Sequence, residues 1–123
     1  MIPLTILLVD DDRDIRTLII EYLGMVGHKV LEAGSGREAI EIIESGKHSI
    51  DVAIVDWQME GISGREVITI LRKDLPETKI LLATGRGVQD LPESMLSKFA
   101  CRVLRKPFSM KSLKLEIAGL FQK

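Results

Sequence analysis

Short aliphatic runs, each stopping abruptly at a polar side chain, organise this chain. Ile6-Leu7-Leu8-Val9 runs into Asp10-Asp11-Asp12, Val52-Ala53-Ile54-Val55 into Asp56, and Ile80-Leu81-Leu82-Ala83 into Thr84. A shorter run, Val103-Leu104, leads to Lys106-Pro107. Unbroken Val, Ile and Leu is how a strand reads when both faces of a parallel sheet are covered. Between these runs the spacing turns helical. Ile15, Leu18, Ile19, Tyr22, Leu23 and Val26 predict a helix over about residues 13–26, closed by Gly27. A strand at about His28–Glu32 comes next, and Ser35-Gly36-Arg37-Glu38 then opens a helix to about Glu44 with a capping-box pattern. Ser63-Gly64-Arg65-Glu66 repeats that pattern for a helix to about Lys73, and Pro76 marks its exit. Asp90-Leu91-Pro92-Glu93 starts a short helix, since Asp caps well and Pro is tolerated in a first turn. The last strand is predicted at about Arg102–Leu104, before a final helix capped by Ser109 and carrying Leu113, Ile117, Leu120 and Phe121.

Repeated strand–helix alternation calls for an α/β fold: a doubly wound parallel sheet with helices on both faces. The pattern does not give the order of the strands. No repeat, linker or low-complexity tract interrupts residues 1–123, so one domain is expected.

Composition narrows the classes. With 46% hydrophobic and 28% charged residues the chain is not a disordered one. Lys plus Arg number 17 against 18 for Asp plus Glu, a formal charge of -1. That balance gives no general pull toward nucleic acid or an anionic membrane. Cys101 has no second cysteine to pair with and is expected to be a buried, inert thiol. The opening Met1-Ile2-Pro3-Leu4 lacks a basic n-region, and its apolar stretch is too short for a signal segment or a span, which points to the cytoplasm.

The polar stops carry the chemistry. In open parallel sheets the strand carboxyl ends share one edge, where ligands bind. Asp10, Asp11 and Asp12 repel one another unless a cation neutralises them, and Mg²⁺ is held by one or two carboxylates plus water and phosphate oxygens. Capping is the competing reading, with Asp12 the best placed to serve a helix N-terminus. A calcium loop is excluded: Asp10, Asp12, Asp14 and Glu21 have its spacing, but Ile15 stands where the sharp turn needs Gly. Asp56 can act as a phosphoryl acceptor where a metal shields the approaching charges, with Lys106 and Thr84 as donors to phosphoryl oxygens.

These residues resemble the receiver domain of two-component response regulators, over essentially the whole chain. The resemblance rests on Leu8-Val9-Asp10-Asp11-Asp12, on Val55-Asp56-Trp57-Gln58-Met59-Glu60-Gly61-Ile62-Ser63-Gly64, on Ala83-Thr84-Gly85 and on Lys106-Pro107-Phe108. It implies a flavodoxin-like sheet in the order 2-1-3-4-5 and Asp56 as the phosphorylated residue. It further implies Mg²⁺ (or Mn²⁺) bound by Asp11, Asp56 and the Gln58 carbonyl, with Asp10 acting through water. Thr84 and Lys106 would hold the phosphoryl oxygens, and the Lys106-Pro107 bond would be cis. The implied partners are a histidine kinase or histidine phosphotransfer protein and a possible effector, with no direct nucleic-acid or membrane contact. Such a protein is a phosphoacceptor rather than an enzyme.

Several positions depart from the family pattern. Glu60 replaces the usual Pro, Gly85 stands where Ala or Ser is frequent, and Gly85-Arg86-Gly87 is expected to be loose. Arg86 is placed to modulate loss of the phosphoryl group. Val103 replaces the Tyr or Phe whose rotation reports phosphorylation in many receivers. Two rival functions remain at this point. One is a receiver-like interaction module that is not phosphorylated; the other is an aspartate-nucleophile phosphatase using Asp10 and Asp12, which leaves Asp56 without a task.

Overall fold

The computed structural model describes residues 2–85, 91 and 93–122. Its elements are β1 (Thr5–Val9), α1 (Arg13–Met25), β2 (Lys29–Ala33), α2 (Gly36–Glu44), β3 (Val52–Asp56), α3 (Gly64–Asp74), β4 (Lys79–Thr84), α4 (Glu93–Phe99), β5 (Cys101–Arg105) and α5 (Met110–Gly119). The strands pair in parallel in the order β2-β1-β3-β4-β5, the order implied by the family resemblance. The predicted start of α4 at Asp90 and Pro92 lies outside the described residues, as do Arg86 and Gly87.

The unbroken aliphatic runs are explained by helices on both sides of the sheet. Leu7, Val9, Ala53, Val55, Ile80 and Leu82 face Ala39 and Ile43 of α2 and Val67, Ile68 and Leu71 of α3. Their sequence neighbours Ile6, Leu8, Val52, Ile54 and Leu81 point the other way, onto Ile19 and Leu23 of α1 and Leu113 and Ile117 of α5. Truncating one such residue to Ala costs about 2–5 kcal/mol. An exposed pair such as Arg37–Glu41, 3.7 Å apart, is worth well under about 1 kcal/mol, so the sheet core sets the fold.

The caps differ from expectation in detail. Ser35 Oγ accepts the Glu38 N–H at 3.1 Å, but the Glu38 carboxylate turns to the Gly34 N–H at 2.7 Å instead of completing a box. Ser63 Oγ accepts the Glu66 N–H at 3.3 Å, and no return bond to Ser63 is found among the described residues. The reciprocal box forms at α5, where Ser109 and the equally short Ser112 exchange bonds of 3.0 and 3.1 Å. Cys101 is half-buried rather than buried; burial still pushes its thiol up to about 11, so it stays protonated and inert.

Gly27, with φ of +95°, turns the chain out of α1 after the Val26 cap, and leaves His28 buried at the foot of the sheet. The Leu4 N–H donates to His28 Nδ1 at 3.0 Å. Burial lowers the His28 pKa below its ordinary value. A proton on Nδ1 would set two donors against each other. The unfolded chain therefore binds the proton more readily, and stability must fall as pH drops below about 6.5. His28→Gln should lose this acid sensitivity: its stability deficit against wild type, measured by urea unfolding, is expected to shrink between pH 7.5 and pH 5.5.

Candidate functional site

The sheet topology assembles the site. β1 and β3 are neighbours with Val9 paired to Val55, so the following residues, Asp10 and Asp56, leave the sheet side by side. The chain crosses to β2 on one side of β1 and continues through β4 and β5 on the other, which opens a crevice at the β1/β3 carboxyl ends. β4 pairs with β3 so that Asp56 faces Ala83, one residue before Thr84. The Lys106 N–H donates to the Thr84 carbonyl at 2.7 Å, bringing the end of β5 to the same rim.

Side-chain oxygens of Asp10, Asp11 and Asp56 all lie within 4.8 Å of one another. Asp10 and Asp56 are only 3% and 4% exposed, whereas Asp11 is open to solvent at the rim. Lys106 Nζ bridges the two buried carboxylates, 2.9 Å from Asp10 Oδ2 and 3.4 Å from Asp56 Oδ2. Their other oxygens are also engaged: Asp10 Oδ1 accepts the Asp12 N–H at 2.9 Å, and Asp56 Oδ1 the Gln58 N–H at 3.1 Å. Thr84 is fully buried at the end of β4. The Lys106-Pro107 bond is cis, as the resemblance implied.

Burial pushes the Asp56 carboxyl up to about 6; the Asp10 charge adds to this, while the Gln58 N–H and Lys106 oppose it. Burial also works against the Lys106 ammonium. The hydrogen bond and charge of Asp10, with the charge of Asp56, outweigh that and raise its pKa.

A family profile, the response regulator receiver domain, matches residues 6–118. The chain belongs to that family. Among solved structures it is similar to a receiver domain protein from Clostridium thermocellum, with 31% identity and a TM-score of 0.85 over 95% of this chain and 93% of that one. It is also similar to response regulator TrrA from Thermotoga maritima in complex with Mg²⁺-BeF, with 36% identity and a TM-score of 0.79 over 95% and 98% of the two chains. Among curated proteins, the phosphate regulon regulator PhoB of Pseudomonas aeruginosa is 34% identical over 92% of this chain and 49% of its own length. The chain spans less than half of such curated relatives. Receiver domains are the phosphoacceptors of two-component systems, so the acidic rim of this receiver has a matching task.

The donor set fits the cation such a receiver would use. Three carboxylates and no nitrogen or sulfur suit a hard ion such as Mg²⁺ rather than Zn²⁺. Asp12 stands apart from the group and caps α1, accepting the Asp14 and Ile15 N–H groups at 3.0 and 3.3 Å. Gln58 and Glu60 are exposed beside the rim, and Val103 is half-buried in β5 opposite Leu82. Trp57 is half-buried next to Asp56, with its N–H on the Ala83 carbonyl at 2.8 Å.

Two contributors escaped the sequence reading. Gly64 begins α3 so close to β3 that a Cβ there would sit 2.7 Å from the Asp56 carbonyl oxygen; its place behind a capping serine hides that role. Arg16, on the first turn of α1, donates to the Asp10 carbonyl at 2.8 Å. Its signal was a cation at the end of a helix where the dipole disfavours one.

Asp56 is stable folded only against its own charge. Its folded pKa of about 6 exceeds the ordinary 3.8, so the native state holds the proton more tightly, and stability falls as pH rises from about 4 to about 6. Without divalent cations at pH 7.5, Asp56→Asn should raise the unfolding free energy by on the order of 2 kcal/mol. Urea titrations should show that gain vanish near pH 4.

Proposed function

We propose that Asp56 of this receiver accepts a phosphoryl group from a phosphohistidine donor, and that residues 1–123 act as one receiver unit. The observation that carries this reading is the meeting of Asp10, Asp11, Asp56 and Lys106 at one sheet edge. In the transfer, an Asp56 carboxylate oxygen bonds to phosphorus as the bond from phosphorus to the donor imidazole breaks. The imidazole leaves with the electron pair, and water later cleaves the acyl phosphate to restore the carboxylate. Above pH of about 6 the acceptor is ionised and competent to attack.

In this reading Asp10, Asp11, Asp56 and the Gln58 carbonyl hold Mg²⁺ or Mn²⁺, Asp10 acting through a water. The bound cation supplies neutralisation of the attacking and transferred oxygens. Lys106 moves its charge from the carboxylates to a phosphoryl oxygen, and the Thr84 hydroxyl donates to another. Glu60 and Arg86 border the reaction and tune the lifetime of the product. With Val103 in place of an aromatic, the message to an effector does not travel through a ring rotation at that position.

The donor is a histidine kinase or phosphotransfer protein. Ile15, Leu18, Phe108 and Met110 line an apolar recess of about 310 Å³ beside Lys106, and Leu18 is 50% exposed there, a surface suited to a helical partner. The near-neutral charge supports no direct nucleic-acid contact. The absence of any helix long and apolar enough to span a membrane, among the described residues, is compatible with a cytoplasmic site of action.

Incubation with acetyl phosphate and Mg²⁺ should add one phosphoryl mass that hydroxylamine removes and that Asp56→Asn never acquires. An unmodified wild type would favour the non-phosphorylated module. Leu18→Asp should leave acetyl phosphate labelling unchanged but slow transfer from a phosphohistidine protein about ten-fold or more, as loss of a buried apolar contact does.

A further inference from the structure

Arg16 does not sit where an ordinary surface arginine would. It is the fourth residue of α1, close to the positive end of the helix dipole, yet its side chain is only 14% exposed. Its fork is divided between two anchors. Nε donates to Glu32 Oε1 on β2 at 2.7 Å, and Nη1 donates to the Asp10 backbone carbonyl at 2.8 Å. Gly34 gives it room, since a Cβ there would come within 3.2 Å of Nη1.

The carbonyl that Arg16 holds belongs to the peptide joining Asp10 to Asp11. Asp10 is already tied on its other side, where its N–H donates to the Ala33 carbonyl at 3.2 Å. Fixing the following carbonyl fixes the plane of the Asp10-Asp11 peptide. Rotation of that plane would swing ψ of residue 10 and φ of residue 11 together, and with them two of the three carboxylates of the acidic group. Glu32 pairs with Leu8 in the sheet ladder, so the strut is anchored on a strand rather than on a loop.

We infer that Arg16 is a positioning residue for the cation site, orienting the Asp10 and Asp11 carboxylates through the peptide between them. The inference rests on the reading of the acidic group as a divalent-cation site. Charge and geometry predict opposite signs here. As a nearby positive charge Arg16 repels a divalent cation, so its removal would tighten binding. As a strut it presents the ligands, so its removal weakens binding. Lysine keeps the charge but is a point donor that lacks the two-pronged fork.

The test is Mn²⁺ binding by the full chain, followed by the loss of the free-ion electron paramagnetic resonance signal, with thermal melts alongside. Arg16→Met and Arg16→Lys are both expected to bind about ten-fold or more weakly than wild type, the usual effect of losing a partner behind a metal ligand. Glu32→Gln keeps an acceptor for Nε and should bind like wild type. Glu32→Ala, a change at a solvent-facing side chain that leaves the fold intact, should weaken binding several-fold and serves if Arg16→Met does not fold. Unchanged or tighter binding by Arg16→Met, full affinity in Arg16→Lys, or equal affinities of Glu32→Ala and Glu32→Gln would each overturn the inference while leaving the cation site standing. Failure of wild type itself to bind Mn²⁺ would remove the cation site, and the inference with it.

Discussion

Mutual repulsion among carboxylates is the constraint around which this molecule is organised. Two unit charges at the 4.8 Å separation that bounds Asp10, Asp11 and Asp56 repel by roughly 3 kcal/mol at an effective dielectric of about 20. Lys106 offsets part of this from within hydrogen-bond distance of Asp10 and Asp56, but one ammonium does not balance three carboxylates. The raised pKa of Asp56 records the remainder, together with the cost of burying its charge. Only a strong scaffold can keep such a group assembled without a counterion. Here the scaffold is the β1–β3 ladder and the aliphatic layers on both of its faces, from Leu7 and Val55 to Ile6 and Ile54.

The same imbalance gives the site its direction. A divalent cation and a phosphoryl group together bring the charges that the metal-free rim lacks, so binding relieves what folding imposed. Because the Lys106 N–H is bonded to the Thr84 carbonyl, the ends of β4 and β5 are tied where that relief occurs. Residues that never touch a ligand, such as Arg16 behind the Asp10-Asp11 peptide and Gly64 behind the Asp56 carbonyl, belong to the site because they set where the carboxylates stand.

Much of this could be read along the chain. Aliphatic runs ending at Asp10, Asp56 and Thr84 announced buried parallel strands with polar ends, because burial on both faces leaves no other pattern. The convergence of the acidic residues followed from the shared edge of such a sheet. Strand order did not come from the pattern, which is silent about lateral neighbours; it came from the family likeness. The capping boxes were half right, since a Ser-x-x-Glu motif says which groups can bond and not which bond wins. Glu38 chose the Gly34 N–H, and Ser112, which fits no Ser-x-x-Glu pattern, completed the reciprocal box. Arg16 went unread for a related reason. Its partners are Glu32 on another strand and a backbone carbonyl, and a carbonyl leaves no trace in sequence.

A crystal structure of the protein grown with Mg²⁺ and beryllofluoride tests the charge balance most directly. The expected density is one six-coordinate ion about 2.1 Å from oxygens of Asp11 and Asp56, with Lys106 drawn off Asp10 toward the fluoride cap on Asp56. An ion bound elsewhere, or an acidic group still closed over Lys106 with no ion in it, would contradict it.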